Sequence, residues 1–329
     1  MDLLLGRTLS DKIRMTINIW LHDWRTIQIP SPGDWLVPIH EVDEEIILNT
    51  FRDLSPQSLE EVERFYYFRK FYIPEKLQQH YFYNWHRVAP GCKKAEKKFY
   101  RELKKYKHML PSNILGGAES VLYHHGLTMV PQAVHDYIRG GIFCDAGACY
   151  GDSALVFQRP YVPGKVVSFE PCEENRNVYT ENMRLNKIPK EKYILIPCGL
   201  GSEQKTICCR NEPGGRNNLA EAGNTAVEVK KLDEICKEAS LSNIKLIKAD
   251  IEGMGLQMVL GAEQTIRRER PVLLLSIYHN QEEFFGIYQT LKQWDLKYRF
   301  SIRHCHYMPG CELTLIGYPE ELTAGKSTL

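Results

Sequence analysis

The segment Phe143-Cys-Asp-Ala-Gly-Ala-Cys-Tyr-Gly-Asp152 limits what this chain can fold into more than any other. The apolar run Gly-Ile-Phe-Cys reads as a buried strand. It breaks into a turn carrying Gly147 and Gly151, then continues as a helical stretch, Asp152-Ser-Ala-Leu-Val-Phe157. A strand turning sharply into a helix is the building unit of a mostly parallel α/β sheet. Gly147 allows the backbone to approach a neighbour closely, and Gly151 permits tight packing where the helix begins. The free N–H groups of the first helical turn point back at the strand end. Ala148, Tyr150, Gly151, Asp152 and Ser153 are therefore expected to line a ligand site there.

The spacing is D-x-G-x-x-x-G, not the G-x-G-x-x-G of a dinucleotide-binding turn. An acid in the first position suits a cationic ligand. S-adenosylmethionine carries a sulfonium and an ammonium, and Asp145 is expected to draw on both. A second strand, Lys165-Val-Val-Ser-Phe-Glu170, ends in an acid followed by Pro171, 25 residues beyond Asp145. An acid about 20 residues past the turn is placed to grip a ribose diol. It also favours the N-terminus of the helix that follows. Asp145, Glu170, the Pro197-Cys198-Gly199 turn, Asp250 and Tyr278-His279 all fall at strand ends. Ligands of open α/β sheets bind there, where strand order reverses.

Composition narrows the alternatives. The chain has 329 residues, with 42 basic against 41 acidic residues and a net charge of +1, so no global field favours nucleic acid. No apolar run is long enough to span a bilayer, and the N-terminus lacks the cationic region of a signal peptide. The ten cysteines include Cys144, Cys149, Cys172 and Cys198 beside strand ends. They read as small apolar core residues of a reducing, cytoplasmic compartment. His304, Cys305, His306 and Cys311 cluster without the spacing of a zinc site, and no metal ligand is assigned.

The pattern of the chain divides near residue 115. Residues 1–115 are read as a helical N-terminal domain serving as a lid, a substrate-recognition element or a dimer surface. It includes a capping-box helix opening at Ser58-Leu-Glu-Glu61, a helix over Pro74–Arg87 and a basic helical stretch over Lys93–Met109. From residue 116 to 329, short apolar runs alternate with helical ones. Strands are expected at Ile142–Asp145, Val166–Glu170, Tyr193–Pro197, Ile244–Asp250, Val272–Tyr278, Tyr298–Arg303 and Leu313–Gly317. The last two, joined without a helix, should pair antiparallel at one edge. Thr206–Arg210 and Ala226–Lys230 form an added excursion.

Leu246-Ile-Lys-Ala-Asp-Ile-Glu-Gly253 is the second dense motif. Asp250 and Glu252 crowd one region, and like charges push one carboxyl pKa upward, which suits a proton acceptor. In the bland alternative, one acid caps the helix from Met254 and the other pairs with Lys248. His279, at the end of the next strand, is a candidate general base, and Arg303-His304 follows its strand in the same way.

Phe143–Asp152, Ser168–Pro171, Lys231-Leu-Asp-Glu234, Ile247–Gly253, Ser276–His279 and Arg303-His304 together resemble the FkbM family of S-adenosylmethionine-dependent methyltransferases. The resemblance covers roughly residues 118–318. It implies a class I methyltransferase fold, a Rossmann-like seven-stranded sheet with a reversed final strand. It also implies O-methylation of sugars, glycans or related small molecules. Gly255 departs from the pattern, standing where the family carries a further acid. By this reading Asp250 and His279 lie nearest the methyl group, with Glu252 and His304 in the acceptor pocket. A divalent ion on Asp250, His279 and Glu252 is an alternative way to acidify a hydroxyl, and is not expected. The expected partner is a small-molecule or carbohydrate acceptor, neither nucleic acid nor membrane, and self-association is compatible with the sequence. Three alternatives compete: an inactive S-adenosylmethionine-binding protein, an N- or carboxyl-directed methyltransferase, and a nicotinamide oxidoreductase, which would need the missing G-x-G-x-x-G turn.

Overall fold

The structure is a computed structural model and describes residues 44–72, 97–98, 101–106, 118–209, 225–306 and 312–324. Its strands are β1 (Ile142–Ala146), β2 (Lys165–Phe169), β3 (Tyr193–Ile196), β4 (Gly199–Leu200), β5 (Lys205–Cys209), β6 (Thr225–Lys230), β7 (Ile244–Ala249), β8 (Val272–Ser276), β9 (Tyr298–His304) and β10 (Leu313–Pro319). The helices are α1 (Glu44–Phe51), α2 (Pro56–Tyr72), α3 (Gln132–Ile138), α4 (Asp152–Gln158), α5 (Glu173–Leu185), α6 (Leu232–Glu238), α7 (Gly255–Leu260), α8 (Glu263–Glu269) and α9 (Ile287–Gln293).

Strands buried on both faces read as continuous apolar runs, yet each still splits its side chains between two layers. Phe143, Val166, Leu246, Val272 and Leu274 face one core with Leu155, Phe157, Tyr179 and Met183 of α4 and α5. Their neighbours Cys144, Ala146, Val167, Phe169, Ile247, Ala249, Leu273 and Leu275 face the other core with Met258, Val259, Phe284 and Ile287. Seven strands assemble in the order β3-β2-β1-β7-β8-β10-β9. β3 through β8 are mutually parallel where they pair, and β10 runs antiparallel to both β8 and β9. The last two strands pair antiparallel at one edge as expected, β10 lying one place in and β9 outermost. The chain leaves β1 toward β2 and β3, then returns to β7 on the other side, so the order reverses between β1 and β7. The excursion forms a small sheet, β4-β6-β5.

Two local expectations are corrected. The helix expected from Met254 ends early, at Leu260, and a second one follows over Glu263–Glu269; between them Gly261 approaches Gly201 so closely that a Cβ would lie 2.0 Å from its carbonyl oxygen. The second, α8, is capped from outside by Asp233, whose carboxylate accepts from Gln264 N at 3.0 Å and Thr265 N at 2.7 Å. Ser58 is not a helix cap. Ser55 precedes the helix, Pro56 takes the first helical position, and Ser55 Oγ accepts from Ser58 N at 3.3 Å. Ser58 Oγ instead accepts from Ile302 N and from Arg303 Nη1, both at 3.1 Å, fastening α2 onto β9.

Within the first 115 residues, Ile47, Phe51, Leu54, Val62, Phe65 and Tyr66 join the same core as the sheet. The expected helix over Pro74–Arg87, most of Lys93–Met109, and Cys311 lie outside the described residues.

Ser58 is fully buried and satisfies a strand amide that β10 does not reach. Ser58→Ala strands that amide and should cost about 1–3 kcal/mol, read from the urea unfolding midpoint.

Candidate active site

Register places the first charged pair of the site. Asp145 of β1 stands opposite Ser168 of β2 and Lys248 of β7, so the three side chains project from one face at one level. Lys248 Nζ lies 3.1 Å from Asp145 Oδ1, with both side chains excluded from solvent. The same ammonium donates to the carbonyl oxygens of Gly147 (2.9 Å) and Ala146 (3.3 Å), pinning the turn after β1. Burial raises the Asp145 pKa and Lys248 opposes that rise. Asp145 therefore lies beneath the turn, answered by a protein cation, and not presented directly to a ligand as its position in the sequence suggests.

Gly147 has φ +74°, and a Cβ there would sit 1.9 Å from Asp250 O, so the turns after β1 and β7 touch backbone to backbone. Gly147 N and Ala148 N both donate to Phe169 O at 3.1 Å. Gly151 packs as expected: a Cβ would come within 2.7 Å of Tyr179 and Met183. Tyr150 O accepts from Asn182 Nδ2 at 2.7 Å. At the start of α4, Ser120 Oγ donates to Asp152 Oδ2 at 2.5 Å, while Ser153 Oγ meets His125 Nε2 at 2.7 Å.

Glu170 is nearly buried and accepts from Cys149 N (2.9 Å), Cys172 N (2.9 Å) and Asn175 Nδ2 (3.3 Å). It thus clamps the β1 turn to the start of α5. Burial raises its pKa, opposed by these hydrogen bonds. Pro171 O accepts from Arg176 Nη1 at 2.5 Å. Cys198 is buried against the core, and Gly199 pairs with Val229 in the small sheet.

The second charged group gathers around His279. Its Nδ1 lies 2.7 Å from Glu283 Oε2, and its Nε2 lies 3.3 Å from Asp250 Oδ1 and 3.8 Å from Glu252 Oε2. Burial alone would lower the imidazole pKa. Glu283 first, then Asp250 and Glu252, outweigh it and carry the value up to about 9. That environment favours the protonated imidazolium, a form that donates a proton rather than accepting one. Tyr278 stacks beside it with ring centroids 4.0 Å apart, and its hydroxyl reaches Asp250 Oδ1 (3.3 Å) and Glu312 Oε1 (3.0 Å). Asp250 is 18% exposed and Glu252 25%, against 0% for Asp145, so these two acids face the open end of the sheet. Neither acid caps α7, because Gly255 N is taken by Glu283.

His304 stands elsewhere. Its Nδ1 lies 3.1 Å from Glu61 Oε2 of α2, and its ring lies beside Phe65. In the structure it anchors the N-terminal helix rather than joining Asp250 and His279.

Sequence reasoning missed Glu119, Glu283 and the full role of Lys248. Glu119 lies on a single π-helical turn, Ala118–Leu122, over the start of α4. Burial first, then Asp152 and Asp250, raise its carboxyl to about 7. Glu312 rises too, from burial and then the charges of Glu119 and Asp250. Cys149, Glu252 and Glu312 hold left-handed φ of +44°, +52° and +54°. Among the described residues no group of three or more His, Cys, Asp or Glu is arranged to hold a metal ion.

Comparison with known proteins agrees with the fold. Residues 145–300 match the methyltransferase FkbM domain. Methyltransferase sdnD of Sordaria araneosa is 28% identical over 155 residues, the match covering 36% of this chain and 60% of that protein. The crystal structure of a methyltransferase FkbM from Methylobacillus flagellatus KT superposes with a TM-score of 0.55 at 16% identity, over 83% of this chain and 58% of that one. The chain therefore spans about 60% of the length of each relative.

The Asp145–Lys248 pair is the rigid seat of this site. Lys248→Met leaves a buried carboxylate without its cation and should cost about 3–5 kcal/mol. The double variant Asp145→Asn/Lys248→Met should recover part of that loss in urea denaturation.

Proposed function

We propose that this domain transfers the sulfonium methyl of S-adenosylmethionine to a hydroxyl of a sugar or related small molecule. The observation that carries the reading is an excess of acids over cations at the reversal point of the sheet, even with Lys248 and His279 counted. Glu119, Asp152, Asp250, Glu252 and Glu312 interact there, while the Lys248 ammonium is committed to Asp145 and the turn carbonyls. Mutual repulsion and burial hold Glu119 and Glu312 above their ordinary range. A ligand bearing a sulfonium and an ammonium would relieve that repulsion, so the residues present fit the cofactor.

When bound, the cofactor supplies an electrophilic methyl group; the protein supplies alignment and a base. The turn Gly147–Asp152 and Glu170 form the expected floor, fixed by Lys248 below and by Asn175 and Asn182 at the side. Asp250, partly exposed at the tip of β7, is placed to accept the hydroxyl proton. Tyr278 and the His279 imidazolium hold its Oδ1 from the protein side. Glu252, beside it, lines the acceptor space. Amine and carboxyl acceptors are the second reading, which the acid-rich rim favours only for amines.

A screen of glycans and small alcohols for methylated products by mass spectrometry, with calorimetry of S-adenosylmethionine, tests the reading. Cofactor binding without any methylated product would favour an inactive binding protein.

Asp250→Asn should cut turnover by about 10²–10⁴-fold, the usual worth of a general base. Cofactor affinity should change far less. Glu119 supplies a pH signature. Its carboxyl is largely protonated below about 7, and a cationic ligand selects the ionised form. Affinity for S-adenosylmethionine should therefore weaken as pH falls through that value, and Glu119→Gln should flatten the dependence in calorimetric titrations.

A further inference from the structure

Glu283 is a carboxylate of the site to which the proposed chemistry gives no role, and its side chain is only 1% exposed. It sits on a single π-helical turn, Glu282–Gly286, an irregularity often found at functional sites. Both of its oxygens are committed. Oε1 accepts from Gly255 N at 2.7 Å, satisfying an orphan amide at the start of α7, and Oε2 meets His279 Nδ1 at 2.7 Å. Its own backbone N is held by Asn280 Oδ1 at 2.8 Å, and Asn280 Nδ2 reaches Gly253 O at 3.0 Å. One short segment, residues 279–283, therefore ties the turn after β7 to the turn after β8.

Gly255 makes room for this arrangement. A Cβ there would lie 2.7 Å from Glu283 Oε1 and 3.1 Å from Ile287 Cδ1. An acid at position 255 and Glu283 would compete for the same space, so the carboxylate at this spot comes from position 283. The absence of an acid at 255 thus leaves no gap in the site.

We propose that Glu283 is a positioning residue for the methyl-transfer site, fixing His279 as a cation whose Nε2–H faces Asp250, Glu252 and the acceptor oxygen. The assignment of the acceptor rests on the proposed function; the Glu283–His279 couple does not. The groups facing His279 are Glu283 on its own segment, Asp250 and Glu252 from the turn after β7, and the Tyr278 ring. With Nδ1–H given to Glu283, the tautomer and the ring orientation are both set. The imidazolium offsets the two acids in front of it, and its remaining N–H steadies the Asp250 carboxylate that takes the acceptor's proton.

The test is an NMR titration of histidine ring signals in the full chain, with His279→Gln supplying the assignment. Wild-type His279 should titrate near 9. Glu283→Gln keeps the shape and the Gly255 contact but removes the charge, and should bring His279 down toward or below its ordinary value of about 6.5. Glu283→Asp should retain most of the elevation and serves if the Gln variant fails to fold. Calorimetry with S-adenosylmethionine on wild type separates the two readings: no binding sinks the proposed function and leaves this couple intact. A wild-type His279 titrating near 6.5, or a value unmoved by Glu283→Gln, would overturn the assignment and leave Glu283 a packing residue.

Discussion

A lysine and an aspartate on neighbouring strands, neither touching water, hold the functional end of this molecule together. Two ions removed from solvent are costly, and their attraction repays the cost only with good geometry and further hydrogen bonds. Here the geometry follows from parallel register, which sets Asp145 and Lys248 side by side. The further bonds go to the carbonyls of Ala146 and Gly147. The turn after β1 is thus supported from beneath, and Gly147 rests against the backbone of Asp250 with no side chain between. The two turns form a single unit across the reversal of strand order, and every acid proposed to act in the chemistry hangs from it or from the strands beside it.

Much of this was legible in the sequence. The seven main strands fall within a residue or two of their expected places, because short continuous apolar runs bounded by glycine, proline and acids leave few alternatives. The clustering of Asp145, Glu170, Asp250 and His279 at one end follows from their common position at strand termini. Partnership was not legible. Lys248 is a lysine inside an apolar strand, which signals a buried partner, but only the β1–β7 register names Asp145 over Glu252. His279 reads as a base by position alone. Its neighbours arrive from residues 250, 252 and 283, and their summed charge favours its protonated form. His304 shows the same limit: a histidine at a strand end meets Glu61, 243 residues earlier in the chain.

The site separates two electrostatic tasks. Lys248 answers the charge inside the sheet, and His279 answers the charge in front of it. The first is locked between strands and rigid; the second depends on a helical irregularity at residues 282–286 and on the space left by Gly255. Changes at the first should be felt as stability and changes at the second as chemistry, because only the second group faces the open rim.

Ser58 closes the sheet on the β9 side. The outward amide of Ile302 is spent on a serine hydroxyl from α2, and Arg303 is drawn to the same oxygen. An exposed border of this kind ordinarily invites a strand from another molecule. With that donor spent and α2 lying across it, β9 offers no continuous template at that point, and lengthening of the sheet by a neighbouring copy is blocked there. The opposite border, β3, carries no such helix-borne hydroxyl among its described contacts and leaves Ile194 37% exposed. The two flanks of the sheet are therefore unequal, and the N-terminal helix is what makes them so.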